Sequence, residues 1–341
     1  MIKGFVSNLM KSPLNFLSRI VLTLAFSVLL NGVTGVQKVH AQGWPNGQTV
    51  RVIVPFPGGA STLDSVVRIV TPEFAKALGT PVIVDNKPGA GTVIGVDATA
   101  KSTDGHTVGG VANSFTVNQS LVKTLPYNTT KDLQPVILMA RTANVLAARP
   151  DLPINNLQEL IAYAKKHPGK LSYGSFGNGT TPHFAMEMLK SMAGIYVVHI
   201  PYRAQGPALT DLLGNNIDIM FGNLPDFLPY LRSGKLKGLG TTYLTRAPLA
   251  PEIPTIAEQG FPRFETDSWY GIVAPSSMPK ESIEKVNSAI NRALEEPSIK
   301  KNLSERGIEI IGGTSAKFGE HLQSEIAKYA RIVKSANMQI D

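Results

Sequence analysis

The chain has 341 residues, 33 Lys and Arg against 25 Asp and Glu, a formal net charge of +8 and no cysteine. That length suggests two domains, and 43% apolar with 17% charged residues describes a globular chain. The lack of cysteine excludes disulfides, thiolate-bound zinc, iron–sulfur clusters, thiol catalysis and a lipid anchor on an N-terminal Cys.

Residues 1–41 carry Lys3, Lys11, Arg19 and Lys38 and no acidic group. The apolar run Ile20–Leu30 follows Arg19 and is broken by Asn31-Gly32. It is too short to span a bilayer comfortably. With the small residue Ala41 behind it, the segment reads as a secretory signal cleaved near Ala41. Met10-Lys11 is a second candidate start. Without these 41 residues, 29 basic face 25 acidic groups, and the charge is +4. No basic stripe with interleaved aromatics remains, which removes the case for nucleic acid.

The mature chain alternates strand, loop and helix. Val50–Pro55 is a β-branched run ending in the loop Phe56–Asp64. Val66, Val67, Val70, Phe74 and Leu78 then mark a helix stopped by Gly79, with a kink or break expected at Pro72. Pro81–Val84 is the next strand, Asn86–Gly91 opens a helix to about Lys101, and Val108–Ala112 is a third strand. The apolar stretch Gln134–Ala148 has no turn residue and suits a crossing between domains. Asn155 and Asn156 cap a helix with Leu157, Leu160, Ile161 and Ala164 at helical spacing. Leu171–Ser175 is a strand whose loop, Ser175–Thr181, leads into Pro182 at a helix start. Tyr196–Ile200, a helix to Leu213 and Ile217–Phe221 follow. From Pro279 the chain is helical, with core stripes Ile283/Val286/Ile290/Leu294 and Phe318/Leu322/Ile326/Tyr329/Val333. This order argues an α/β fold with largely parallel sheets.

Two loops share one chemical logic. Pro57–Asp64 and Ser175–His183 both follow a strand, contain glycines and hydroxyls, and open a helix. Helix starts offer unpaired N–H groups, and glycine lets an anion approach the backbone. Neither loop carries Lys or Arg, so an anion there is held by neutral donors, as suits a carboxylate. Asp64 reads first as a cap for its own helix and loop amides.

Other chemistries lack their residues. Gly89-Ala90-Gly91 with Gly95 misses the dinucleotide spacing by one residue. Tyr173 stands where a nucleophile elbow around Ser175 needs glycine. None of the six His forms a metal spacing, and no carboxylate pair suggests acid–base work. No catalytic residue, metal or cofactor is assigned. His183 borders a loop and is a candidate pocket residue; His199 reads as a hydrogen-bonded strand end.

Several stretches together carry a resemblance. They are Ile53–Gly59 with Asp64 and Arg68; Val84–Gly91 with Gly95; Leu125-Pro126-Tyr127 with Lys131-Asp132-Leu133; and Pro168–Tyr173. Ser175, Gly177-Asn178-Gly179, His183, His199–Arg203, Pro254–Glu258 and Trp269–Pro275 continue the series. In this order they resemble the Bug/TctC family, the substrate-binding receptors of tripartite tricarboxylate transporters. The resemblance implies a two-lobed periplasmic binding protein of type II topology, each lobe a mostly parallel sheet flanked by helices. Lobe one would comprise residues 42–141 plus 266–341, and lobe two 142–265. It implies a receptor and not an enzyme, soluble in the periplasm and monomeric, which passes a small organic acid to membrane permease subunits.

The implied ligand-binding set is Pro57, Gly58, Gly59, Ala60, Ser61, Thr62 and Asp64 on one loop. Ser175, Gly177, Asn178, Gly179, Thr180, Thr181 and His183 face them, with Asn113, Tyr202 and Asn223 in the wall. The chain departs from the family pattern in a longer first loop, in Ala204 after Arg203, and in Asn223 where many members have Asp. A neutral Asn223 argues against an amine-bearing ligand. A partner of a periplasmic sensor kinase would show the same binding, whereas a secreted hydrolase would need a nucleophile or metal set absent from the sequence.

Overall fold

The structure, a computed structural model, describes residues 43–335, and every described strand and helix lies in the unit spanning residues 44–341. The expected signal, with Met10 and Ala41, falls outside the described residues. The strands are β1 (Val50–Val54), β2 (Val82–Asn86), β3 (Thr107–Ala112), β4 (Leu133–Thr142), β5 (Asn144–Ala148) and β6 (Ser172–Ser175). They continue with β7 (Val198–Pro201), β8 (Ile219–Asn223), β9 (Lys237–Thr241), β10 (Ser268–Pro275) and β11 (Glu309–Ile310). The α-helices are α1 (Thr62–Leu78), α2 (Val93–Ala100), α3 (Ser114–Leu121), α4 (Leu157–Lys166) and α5 (Thr181–Ala193). After them come α6 (Gln205–Leu213), α7 (Leu224–Arg232), α8 (Lys280–Glu295), α9 (Pro297–Glu305) and α10 (Ser315–Ser335).

Two sheets result, ordered β11-β4-β10-β3-β1-β2 and β7-β6-β8-β5-β9. In the first, β1 is parallel to β2 and β3, while β10 is antiparallel to β3 and β4. In the second, β6 is parallel to β7 and β8, while β5 is antiparallel to β8 and β9. Most strands of each sheet therefore point one way, with one reversed strand inserted among them; at the edge of the first sheet β11 also runs antiparallel to β4. The inserted strands, β10 and β5, are those that follow the passages between sheets. This is a two-lobed α/β fold of mixed sheets. The apolar stretch at 134–148 makes the first passage, with only Ala143 between β4 and β5.

Local chemistry accounts for the helix ends. Ser61 caps α1 by accepting from the Asp64 N–H at 3.1 Å, and Gly79 ends it in the left-handed region at φ 67°. Asn156 caps α4, accepting from the Glu159 N–H at 2.8 Å. The break expected at Pro72 does not occur, and α1 runs through it. The Thr71 hydroxyl donates to the Val67 carbonyl at 2.7 Å, one turn back.

The hydrophobic clusters do not follow the sheets. Val117 and Leu121 of α3, with Tyr329 and Val333 of α10, share a cluster with Phe184, Leu189 and Phe221. Helices whose neighbours are the first sheet thus bury side chains in the core around the second. Tyr329 is fully buried, its ring meets Phe184 edge-on at 4.4 Å, and its hydroxyl accepts from Asn113 Nδ2 at 2.9 Å. This seam joins the two sheets independently of the chain crossings. Tyr329→Ala is expected to cost about 3–5 kcal/mol of unfolding free energy, measured by denaturant titration. A change below about 1 kcal/mol would show that the seam carries no stability.

Candidate functional site

The site lies at the carboxyl ends of strands in both sheets, where α/β folds place ligands. A cavity there is lined from the first sheet by Phe56, Ser61–Leu63, Ala112–Ser114, Ser268 and Tyr270. From the second come Phe176, Thr180, Thr181, Gln205 and Asn223. None of these residues is charged. The unfilled space is about 440 Å³, but the centre of a water-sized sphere can move through only about 30 Å³ of it. That is room for a few waters, and anything larger enters only if the walls part.

The first loop is shaped by Asp64, whose carboxylate is fully buried. One of its oxygens accepts from the Gly59 N–H and from Arg68 Nε, both at 2.8 Å. The other accepts from Asn86 Nδ2 at 2.7 Å, and the same amide reaches the Phe56 carbonyl at 2.9 Å. Burial alone would raise the Asp64 pKa, but Arg68, Asn86 and Gly59 outweigh it and hold it below the ordinary carboxylate value. Gly59 sits at φ 72°, where residues with a Cβ are strained.

The second loop is shaped from within as well. Ser175 Oγ accepts from the Gly177 N–H at 3.2 Å, and Thr180 Oγ1 donates to the Gly177 carbonyl at 2.6 Å. The Gly179 N–H donates to His183 Nδ1 at 3.2 Å. Gly177 is at φ 120°, with the Tyr202 carbonyl 3.3 Å from where a Cβ would stand. The amides of Gly59, Gly177 and Gly179 are therefore already bonded inside their loops. The N–H groups left without a partner are at the helix starts, on Thr62 and Leu63 of α1 and Thr181 of α5. All three residues line the cavity.

Thr62 also links the walls. Its hydroxyl accepts from Asn223 Nδ2 at 2.7 Å and donates to Asp226 Oδ2 at 3.0 Å. Asn223 is held in turn by Asn144 Nδ2, at 2.8 Å, and by Gln205 Oε1, which accepts from its N–H at 3.0 Å. Gln205 Nε2 also donates to Asp226. Tyr270 is only 3% exposed, and its hydroxyl has no hydrogen-bond partner. Thr62 and Ser268 lie near it without bonding geometry, and burial pushes its pKa far up. A buried, neutral and unpaired phenol in a cavity wall is a donor awaiting an acceptor.

Beneath the second loop is a ring stack. His199 lies over Tyr173 at 4.7 Å and over His183 at 4.4 Å, and its Nε2 is 2.7 Å from Ser175 Oγ. Burial, with Lys190 adding to it, lowers His183 to about 4. Burial, then the neighbouring His183, lowers His199 to about 3. Both rings are neutral near pH 7.

A wider chamber adjoins the cavity through Phe56, Phe176 and Thr180. It is lined by Pro55–Pro57, Pro88–Thr92, Gly177, Tyr202 and Arg203, and a water-sized sphere can centre itself in about 470 Å³ of it. Gly91 closes one side so tightly that a Cβ would stand 3.0 Å from the Asn178 carbonyl.

Of the residues singled out in the sequence, Ser61, Thr62, Asn113, Thr180, Thr181 and Asn223 line the inner cavity. Pro57, Gly177, Thr180 and Tyr202 line the outer chamber. Gly58, Gly59, Ala60, Asp64, Ser175, Asn178, Gly179 and His183 line neither and instead build the loops or stand behind them. Phe56, Phe176, Gln205, Ser268 and Tyr270 were not singled out as site residues. Of these, Phe56 and Phe176 adjoin the glycine loops and could have been read from that position. Among the described residues no group of His, Asp and Glu could hold a metal, and no helix is long and apolar enough to cross a membrane.

The tripartite tricarboxylate transporter family receptor model matches residues 66–338. BugT of Bordetella pertussis is 33% identical over 305 residues, covering 89% of this chain and 93% of that protein. A Rhodopseudomonas palustris protein solved with adipate is 32% identical with a TM-score of 0.82, covering 87% of this chain and 99% of that one. MatC of the same organism, solved with malate, is 30% identical with a TM-score of 0.79, covering 84% and 98%. The periplasmic binding protein BugD is 30% identical with a TM-score of 0.80, covering 85% and 98%.

The histidine stack has a pH signature. Both folded-state values lie below the ordinary 6.5, so between about pH 4 and 6.5 the unfolded chain binds more protons. The stability contributed by the neutral rings is complete above about pH 6.5 and is lost as pH falls through that window. Thermal midpoints are expected to be level from about pH 7 to 8 and to decline below about 6.5, with no His183 ring titration by NMR between about 6 and 8. A His183 titration centred near 6.5 would contradict a buried neutral ring.

Proposed function

The chain belongs to the tripartite tricarboxylate transporter receptor family, and on that premise we propose that it captures a small organic acid between its lobes and delivers it to a membrane permease. Lobe one is residues 42–141 with 266–341, and lobe two is 142–265. The lobes part at the Thr62–Asn223 contact and close over the ligand. Export to the periplasm, with cleavage near Ala41, puts the receptor where such acids arrive. The solved relatives holding adipate and malate support a carboxylate as the solute.

The unpaired Tyr270 hydroxyl is the observation that carries this reading. Around it the cavity offers the free N–H groups of Thr62, Leu63 and Thr181, several hydroxyls and three side-chain amides, and no formal charge. A carboxylate has about four lone-pair sites and can accept from several of these at once. Hydrogen bonds to a charged group contribute roughly 1.5–3 kcal/mol each, and closure strengthens them by excluding water. Capture needs no side chain to change protonation, so affinity stays level from about pH 6 to 8 and weakens as the ligand carboxyl protonates near about 4. The ligand favours the closed form only by its greater affinity for it.

Calorimetry against mono- and dicarboxylates tests this. Tyr270→Phe is expected to weaken binding about 10–100-fold. It should leave the unliganded melting temperature unchanged or higher, because a buried unpaired hydroxyl is removed. Gly177→Val is expected to abolish binding while the fold survives. Wild-type affinity in both variants, or no saturable binding of any organic acid by the parent protein, would reject the proposal.

A further inference from the structure

The cavity wall contains a hydrogen-bond chain whose direction is set from outside the cavity. Asp226, in the first turn of α7, lines neither the inner cavity nor the outer chamber. Its Oδ2 accepts from the Thr62 hydroxyl at 3.0 Å and from Gln205 Nε2. An ionised carboxylate only accepts, so the Thr62 proton is committed to Asp226. The Thr62 oxygen is then left to accept, and it takes a proton from Asn223 Nδ2 at 2.7 Å. That turns Asn223 Oδ1 toward β5, where it accepts from Asn144 Nδ2 at 2.8 Å. The same Asn144 nitrogen donates to Ser268 Oγ at 3.1 Å. Ser268 lines the cavity, and its own proton has only Asn144 Oδ1, at 3.5 Å, as an alternative to an acceptor there. Gln205, turned by the same carboxylate, keeps Oε1 for the Asn223 N–H at 3.0 Å.

We propose that Asp226 is a positioning residue: as the end of the chain that can only accept, it fixes the direction of every bond from Thr62 to Ser268 and leaves the Ser268 hydroxyl to donate to the ligand. The wall then selects an ionised carboxylate over the uncharged amide of the same shape. This rests on the carboxylate-receptor reading above and deepens it, by naming the group that sets the polarity of the wall.

The opposite direction has a definite cost. If position 226 donated, Thr62 would donate to Asn223, and Asn223 Nδ2 would turn to Asn144. Asn144 Oδ1 would then draw the Ser268 proton away from the cavity, and the wall would present the Ser268 lone pairs, which repel a carboxylate. Either direction keeps the Thr62–Asn223 and Asn223–Asn144 bonds, so the amides alone do not choose between them. The carboxylate of Asp226 does. Desolvation at the cleft raises its pKa, against the pull of Gln205, Thr62 and Arg306. By its charge alone Asp226 would weaken the binding of an anion. Its effect through the chain has the opposite sign, which separates the two roles.

The test is calorimetry on the exported protein at about pH 8, well above the carboxyl range. The probes are straight-chain mono- and dicarboxylates from acetate to suberate, each beside its amide. The parent is expected to bind its best acid about 100-fold or more tighter than the matching amide. Asp226→Asn removes a negative charge and can donate as well as accept. It should nevertheless weaken that acid about tenfold and leave the amide unchanged or tighter, and Asp226→Glu should recover part of the loss. Thr62→Val cuts the chain at its next link and should weaken the acid by a similar factor, with little further loss in the double variant. Acid and amide weakened alike mark a merely structural role, and acid binding unchanged or tighter in Asp226→Asn marks a bystander charge. Either result overturns the assignment and leaves the receptor reading standing. So does a parent that binds acid and amide alike, and so do additive losses in the double variant, which decide the matter where amide binding is too weak to measure. No binding of any acid to the parent overturns both.

Discussion

The buried Asp64 carboxylate is the fixed point of the site. It gathers a loop amide, an arginine from its own helix and an asparagine from the neighbouring strand. Through Asn86 it is tied to the carbonyl of Phe56, where β1 gives way to the loop. A buried charge with this many donors is stable only in one arrangement. That arrangement turns the first residues of α1, Thr62 and Leu63, toward the cavity. The negative charge itself stays behind the loop, shared with Arg68. A carboxylate can thus hold the cradle for another carboxylate without repelling it at contact distance.

The opposing wall uses neutral parts for the same purpose. The His183–His199–Tyr173 stack supports the second loop from beneath, and Ser175 ties the stack to Gly177. Thr62 and Asn223 meet between the walls, which is where a ligand must compete to enter. The seam of α3 and α10 against Phe184 is mostly apolar and meets the cleft through the Asn113–Tyr329 hydrogen bond. Polar contacts give up their partners to water at modest net cost, whereas separating packed rings does not.

Much of this was readable from the sequence. Both loops announced themselves by strand, glycine, hydroxyl and helix start, and the crossing at 134–148 by an apolar run without turn residues. Asp64 was legible as a cap for its own loop amides and accepts from the Gly59 N–H, whereas His183, read as a pocket residue, accepts from the Gly179 N–H of its own loop. The spacing was visible, but the direction of a side chain is set by what buries it. Tyr270 and Ser268 were out of reach for a different reason. Every residue of β10 is buried, so no alternation of polar and apolar residues marks a face. Their place in the site depends on β10 lying between β3 and β4, a pairing across more than a hundred residues. Pro72 shows the limit of local rules, since α1 continues through it within a packed core.

The reversed strand β10 also governs the order in which the molecule can be completed. The second sheet is finished once residue 241 has been made. The first has its middle missing until Ser268–Pro275 arrives, so β3 and β4 wait with open edges on either side of a gap. Unpaired edges of apolar strands are templates for aggregation. A chain interrupted anywhere between those points carries one finished sheet and one split sheet, and it still lacks the Tyr329 and Val333 that complete the core around the finished one. Eight residues late in the chain close the gap in the first sheet and bring Tyr270 into the cavity wall in the same act.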